Sequence, residues 1–241
     1  MKLAVIPARG GSKRIPGKNV RAFAGKPMIA HSIGTAVASG LFDRIVVSTD
    51  DDDIARVSMA AGAEVPFRRP AALADDFTGT SAVVKHAIEA LMSTDQSVDF
   101  VCCIYATAPL LSEHYLREGY DRLLSSGKSY AFSVTSYAFP IQRAIRMLAD
   151  GTVDALFPEH RMTRSQDLEP AFHDAGQFYW GTAAAYLRDV PIFSTESVGV
   201  VLPRHLVADI DTLEDWEHAE LLYEAWRLRS ATRRSDGLDS P

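Results

Sequence analysis

Ile6-Pro7-Ala8-Arg9-Gly10-Gly11-Ser12-Lys13-Arg14-Ile15-Pro16-Gly17-Lys18-Asn19 is the stretch on which the reading of this chain turns. The apolar run Lys2-Leu3-Ala4-Val5-Ile6 leads into it and breaks at Pro7, and beyond it residues 27–38 have helical spacing that ends at Gly40. Strand, glycine-rich loop and helix in that order open a βα unit. Ligands of open α/β sheets bind at the carboxyl ends of the strands, which is where this loop falls. It carries the cations Arg9, Lys13, Arg14 and Lys18 and the amide of Asn19, with no acidic residue among them. Gly10 and Gly11 let backbone N–H groups approach phosphate oxygens without a Cβ in the way. The spacing is neither Gly-x-x-x-x-Gly-Lys-Ser/Thr nor Gly-x-Gly-x-x-Gly, which removes the two commonest nucleotide motifs. A solvated basic turn is the plain alternative; cations gathered directly after a first strand favour a phosphate cradle.

Outward from the loop the βα rhythm continues. Residues 44–49 read as a β-branched strand, Asp50 to Asp53 as a helix start, and Gly62 as that helix's end. Residues 63–67 read as a short strand, 80–92 as a helix, 100–105 as a buried strand, and 112–124 as a helix with Ser112 at its N-cap. This alternation predicts an α/β protein with a mostly parallel central sheet and helices on both faces. After a strand over 130–137 the rhythm fails: residues 138–170 are polar and proline-punctuated and read as an inserted arm. Residues 175–187 and 198–202 are strand-like, and 212–227 form an amphipathic helix with Trp216, Leu222 and Trp226 inward. One domain over 1–228, its arm at about 138–172, and a frayed tail over 229–241 follow.

Length and composition agree. The chain has 241 residues, 47% of them hydrophobic and 23% charged, which suits one globular core and excludes disordered, collagenous and disulfide-scaffold classes. A net charge of −6 means that an anionic ligand must be met by a local basic patch, and argues against nucleic acid as a partner. Adjacent Cys102 and Cys103 in an apolar run suit buried strand positions and a reducing cytoplasm better than a disulfide or a metal pair. No apolar stretch reaches a membrane span, and Lys2 to Ile6 is too short for a signal sequence, so a soluble cytoplasmic protein is expected.

Val207-Ala208-Asp209-Ile210-Asp211-Thr212 is a second chemical centre. Alternate residues of an extended segment point the same way, so Asp209 and Asp211 present two carboxylates suited to Mg2+. Asp211 reads equally well as a helix cap. A third block, Arg164-Ser165-Gln166-Asp167-Leu168 followed by Phe172-His173-Asp174-Ala175-Gly176-Gln177-Phe178-Tyr179-Trp180-Gly181, sets polar groups among aromatics. Such a wall suits a small polar ligand, and His173 reads as a packed histidine.

The first loop resembles Ile-Pro-Ala-Arg-Gly-Gly-Ser-Lys-x-x-x-x-Lys-Asn of the nonulosonic acid cytidylyltransferases, the CMP-sialic acid synthetase type. Gly25-Lys26-Pro27-Met28-Ile29, Ser48-Thr49-Asp50-Asp51, and Arg68-Arg69-Pro70 with Asp75-Asp76 and Thr80-Ser81 extend the resemblance over the chain up to its tail. It implies a Rossmann-like nucleotide-diphospho-sugar transferase fold, CTP as co-substrate, Mg2+, and a homodimer joined through the arm. By the resemblance Ala8, Arg9, Gly10, Gly11, Ser12, Lys13, Lys18, Asn19, Arg69, Thr80 and Ser81 bind the nucleotide. Tyr105, Thr107, Arg164, Gln166, Asp174 and Gln177 face the sugar, Asp209 and Asp211 hold the metal, and Arg9, Lys18 and Arg164 act on the reacting phosphate. Tyr105 stands where sialic acid synthetases tend to have Gln, and Ala175 where they have Asn. Those departures, with Arg-Ser-Gln-Asp-Leu and His-Asp-Ala-Gly-Gln-Phe-Tyr-Trp, are similar to the pseudaminic acid branch. Legionaminate, N-acetylneuraminate and 3-deoxy-manno-octulosonate are the alternative sugars. A non-catalytic nucleotide-binding regulator on the same fold is the alternative of another class, which would not need the Asp209/Asp211 pair.

Overall fold

The computed structural model describes residues 1–94 and 96–235, with side chains as far as residue 229. In chain order the elements are β1 (Lys2–Pro7), β2 (Ala22–Phe23), β3 (Lys26–Pro27), α1 (Met28–Ser39), β4 (Arg44–Ser48) and α2 (Asp52–Ala60). Then come α3 (Thr80–Met92), β5 (Phe100–Ile104), α4 (Glu113–Ser126), β6 (Tyr130–Ser136), β7 (Ile145–Met147) and β8 (Val153–Ala155). The chain continues through β9 (Phe172–Thr182), α5 (Ala183–Leu187), β10 (Ser197–Val201) and α6 (Leu213–Ser235). The main sheet runs β10-β6-β9-β5-β1-β4. All its neighbours pair in parallel except β9, which is antiparallel to both β5 and β6.

Period-two alternation divides the core into two faces. Ala4 and Ile6 of β1 and Cys102 and Ile104 of β5 lie in one cluster with Ile29, Ile33 and Leu116 from α1 and α4. Leu3, Val5, Val101 and Cys103 lie in the other with Val84, Ile88 and Ala185 from α3 and α5. The two cysteines therefore point to opposite faces, are buried, and are free. A third cluster lies apart from the sheet: Ile15 of the first loop, Phe23 and Met28 beside the β2–β3 hairpin, and Ile210, Trp216 and Ala219 on and before α6. It ties the amino-terminal loop to the carboxyl-terminal segment.

Helix α3 has the bounds that the spacing predicts, and Ser112 caps α4 by accepting from the His114 N–H at 3.3 Å. Four expectations need correction. Residues 63–67 form no strand, since Glu64 alone bridges Val46. Residues 175–187 split: β9 ends at Thr182, whose hydroxyl caps α5 by accepting from Ala185 N at 3.1 Å, and an alanine-rich turn follows. The arm contains the β7–β8 hairpin, pinned by Arg146 on Asp154 at 2.7 Å. Helix α6 runs on to Ser235, past the expected start of the tail, while residues 236–241 lie outside the described residues. Trp216 is buried as expected; Leu222 and Trp226 are half-buried.

Candidate active site

The loop after β1 and the residue after β5 meet at the carboxyl ends of the parallel strands. A cleft of about 620 Å3 opens there, lined by Arg9, Ser12, Lys13, Arg14, Lys18 and Asn19 from the loop, with Asp76, Thr80, Tyr105 and Thr107 opposite. Gly10 must be glycine: its N–H donates to Asp50 at 3.0 Å, and a Cβ would lie 2.7 Å from the Asp51 carboxylate and 2.9 Å from the Asp51 Cβ. Asp51 cannot yield freely, because it caps α2 by accepting from Ile54 N. Gly11 is surrounded by open space, so its backbone can approach a ligand. Asn19 is buried and donates to the Arg9 carbonyl at 3.0 Å, closing the loop on itself. Ala8 is buried beneath, its N–H on the Ser48 carbonyl.

Each cation of the cleft is met by a carboxylate. Asp76 lies 2.8 Å from Arg9 and 2.5 Å from Lys13, whose hydrogen bonds hold its carboxyl below the usual carboxylate range. Asp211 lies 2.8 Å from Arg14 and 3.5 Å from Lys18, and Lys18 also donates to the Ile210 carbonyl. The part played by Asp76 is absent from the sequence reading; its only signal is Asp75-Asp76 shortly after Arg68-Arg69-Pro70.

The helix-capping alternative for Asp211 is resolved by a neighbour. Thr212 and Asp215 form a reciprocal capping box, in which the Asp215 carboxylate accepts from Asp211 N and Thr212 N, and the Thr212 hydroxyl accepts from Asp215 N. Asp211 is thereby left to the cleft. Asp209 is exposed and makes no hydrogen bond or ion pair among the described residues. Partial desolvation, then the Asp211 charge, push its carboxyl above its ordinary value. Two carboxylates near each other, one of them paired with cations of the cleft, are of the chemistry that binds a divalent cation when phosphates supply its remaining ligands. Among the described residues no group of three or more His, Cys, Asp or Glu could hold a metal without such help.

A second cavity, of about 190 Å3, lies behind Thr80 and Tyr105, which line both spaces. Ser81, Val84, Cys103, Asp174, Tyr179, Tyr186, Ile192 and Phe193 complete its wall. The Thr80 and Tyr105 hydroxyls are 3.5 Å apart, and the Tyr179 hydroxyl donates to Asp174. Burial pushes both phenols up, so both remain O–H donors. The sequence reading misses Ile192 and Phe193, which follow no pattern that marks a cavity wall.

Four expected site residues stand elsewhere. Arg164 and Gln166 are exposed on the arm and line neither space, and Arg164 pairs with Asp167 at 2.8 Å. Gln177 is buried beneath the walls of both cavities, with its amide nitrogen on the Leu206 carbonyl. Arg69 is also buried, donating to the Ser48 carbonyl and, at 3.2 Å, to the Ser48 hydroxyl. The exposed salt bridge that is its plain alternative is therefore not formed. His173 donates through Nδ1 to the Asp174 carbonyl at 2.9 Å and packs on Tyr137, a structural placement.

A family model described as cytidylyltransferase matches residues 3–226. Over 222 residues the chain is 48% identical to the pseudaminic acid cytidylyltransferase of Campylobacter jejuni, covering 92% of this chain and 96% of that one. It is 35% identical over 227 residues to the CMP-N,N'-diacetyllegionaminic acid synthase of Legionella pneumophila, covering 92% and 96%. Among solved structures, CMP:2-keto-3-deoxy-manno-octonic acid synthetase complexed with CTP superposes with a TM-score of 0.66 at 17% identity, covering 93% of this chain and 98% of that one. At that identity the likeness speaks for the fold, a mostly parallel α/β sheet of nucleotidyltransferase type.

Proposed function

The chain belongs to the cytidylyltransferase family, and from that premise we propose that it transfers CMP from CTP to the anomeric hydroxyl of pseudaminic acid, releasing pyrophosphate. The observation that carries this reading is the gathering of four loop cations around one cleft, two of them paired with Asp211, with a smaller aromatic cavity beyond Tyr105. The cations suit a triphosphate; the aromatic cavity suits an acylated substituent of a sugar acid. At about 190 Å3 it holds part of a nine-carbon sugar, with the rest extending toward the cleft.

In the proposed reaction the anomeric oxygen attacks the α-phosphorus of CTP, the bond to the β-phosphate oxygen breaks, and pyrophosphate leaves. The residues act by positioning and by offsetting charge, as in other phosphoryl transfers. The backbone N–H at Gly11 and the side chains of Arg9, Lys13 and Lys18 meet the phosphates, exchanging Asp76 and Asp211 for phosphate oxygens, while the Gly10 N–H stays on Asp50. Ser12 and Asn19 shape the loop, and buried Arg69 holds the Ser48 backbone beneath it. Asp209 and Asp211 would hold Mg2+, whose charge lowers the barrier by offsetting that of the triphosphate. Thr80, Ser81, Tyr105, Thr107 and Asp174 orient the sugar as donors and acceptors at the junction of the two spaces.

We further propose a homodimer formed through the arm. Phe139, Ile145, Met147, Val153 and Met162 are each more than half exposed, an apolar concentration that suits a second copy. In that assembly Arg164 and Gln166 would serve a site that includes both subunits. Buried free thiols suit the cytoplasm, and no helix among the described residues is long and apolar enough to cross a membrane.

CTP and Mg2+ offered with a panel of nonulosonic acids, read by the mass of the CMP-sugar, test the reading. Product from pseudaminic acid is expected in excess over legionaminic and N-acetylneuraminic acids. Product from either of those but not from pseudaminic acid would replace the substrate, and no product from any sugar, with CTP still bound, would leave the regulator.

A further inference from the structure

Gln177 is a buried polar group that the proposed chemistry does not use. It is 3% exposed and lines neither cavity. Its amide nitrogen donates to the Leu206 carbonyl, and its amide oxygen is buried without a hydrogen-bond partner. A buried acceptor left without a donor costs stability that an apolar side chain of similar volume would not cost. What the amide provides in return is the bond to Leu206.

Leu206 ends a short 3-10 turn, Arg204–Leu206, immediately before the segment that carries Asp209 and Asp211. The far end of that segment is held three times over: the Ile210 side chain packs with Ile15, Phe23 and Trp216, the Ile210 carbonyl accepts from Lys18, and Asp211 N donates to Asp215. At the near end, Gln177 reaches across from β9 to fix Leu206. Through its own backbone the same residue accepts from Tyr105 N at 2.9 Å and donates to the Ser133 hydroxyl at 3.2 Å. One residue thus bonds to the wall of the sugar-side cavity and to the root of the carboxylate segment.

We propose that Gln177 is a positioning residue for the Asp209/Asp211 pair: by fixing Leu206 it sets where Asp209 stands opposite Asp211 and how far both lie from the Tyr105 wall. The inference rests on the reading of those carboxylates as the divalent-cation site, and not on which sugar is used.

The variant that isolates the role is Gln177→Met, which keeps the volume, removes the orphaned acceptor and cannot bond to Leu206. Binding of Mn2+ to the protein in the presence of CTP and without sugar, followed by electron paramagnetic resonance, should weaken at least fivefold. The melting temperature should move little, because one orphaned acceptor is removed as the Leu206 carbonyl loses its donor, and the KM for the sugar acid should be unchanged. Gln177→Asn, whose amide is one methylene too short to reach Leu206, should show the same loss and provides the comparison if the Met variant folds poorly. Wild-type Mn2+ affinity in folded variants would overturn the proposal. So would a raised sugar KM with unaltered Mn2+ affinity, which would return Gln177 to a substrate contact. Asp209→Asn and Asp211→Asn are run alongside: unchanged Mn2+ binding in both would mean that the carboxylates are not the metal site, and the proposal would fall with that assignment rather than on Gln177 itself.

Discussion

Lys18 is held from two sides, by the Ile210 carbonyl and by Asp211, so its ammonium is aimed into the cleft before any ligand arrives. Preorganised charge of this kind is what stabilises a developing phosphate charge, and removing one such contact costs about 3 kcal/mol at the transition state, roughly a hundredfold in rate. Lys18→Ala and Asp211→Ala should each lose turnover on that scale in a pyrophosphate-release assay. Their melting temperatures should move little, since partly exposed ion pairs contribute at most about 1 kcal/mol. Near-wild-type pyrophosphate release by both would remove the two residues from the chemistry. At this scale the loop was legible because its cations, glycines and position after a strand agree. Gln177 was not: the resemblance places it among sugar-facing residues, whereas the direction of a buried side chain depends on strand register, which composition does not reveal. Asp76 was obscured similarly, since a carboxylate among nearby carboxylates carries no mark of the two cations it will meet.

Among the elements, α1, α3 and α4 follow from apolar spacing and caps, and β1, β4 and β5 from β-branched or apolar runs. The arm did not, because its strands are three residues each and their apolar side chains point away from the domain's own core. Ile145, Met147 and Val153 are 61%, 77% and 58% exposed on a short hairpin whose Asp154 pairs with Arg146 and Arg161, and a second copy would give them the burial that this chain does not. Light scattering at micromolar concentration should therefore give twice the chain mass. Ile145→Lys combined with Met147→Lys should halve it while leaving the circular dichroism spectrum in place. A monomer mass for the unaltered protein would exclude the arm as a dimer contact.

Over the whole molecule, the third cluster makes stability depend on pH. His31 on α1 is 3% exposed, contacts Phe23 and Tyr223 edge to face, and bonds through Nε2 to the Phe23 carbonyl at 2.9 Å. Burial, opposed by that bond, lowers its pKa to about 4. Between about 4 and the ordinary value of 6.5 the unfolded chain binds the proton that the folded chain refuses, so stability rises with pH across that window and is lost as pH falls through it. The resulting loss from pH 7 to pH 5 is about 2 kcal/mol. His31→Leu should flatten this part of the melting-temperature profile; an equally steep profile in the variant would assign the dependence to other groups.

The same cluster also sets an order on synthesis. Ile15, Phe23 and Met28 leave the ribosome early, while Ile210, Trp216 and Ala219, which cover them, come near the end. For most of translation the loop after β1 stands on an uncovered apolar patch, without the Asp211 carboxylate that later faces Arg14 and Lys18. A nascent chain stalled before Ile210 would therefore hold Arg14 and Lys18 without their clasp over an open apolar patch, a species prone to aggregation, and the loop is completed by the last segment rather than strand by strand.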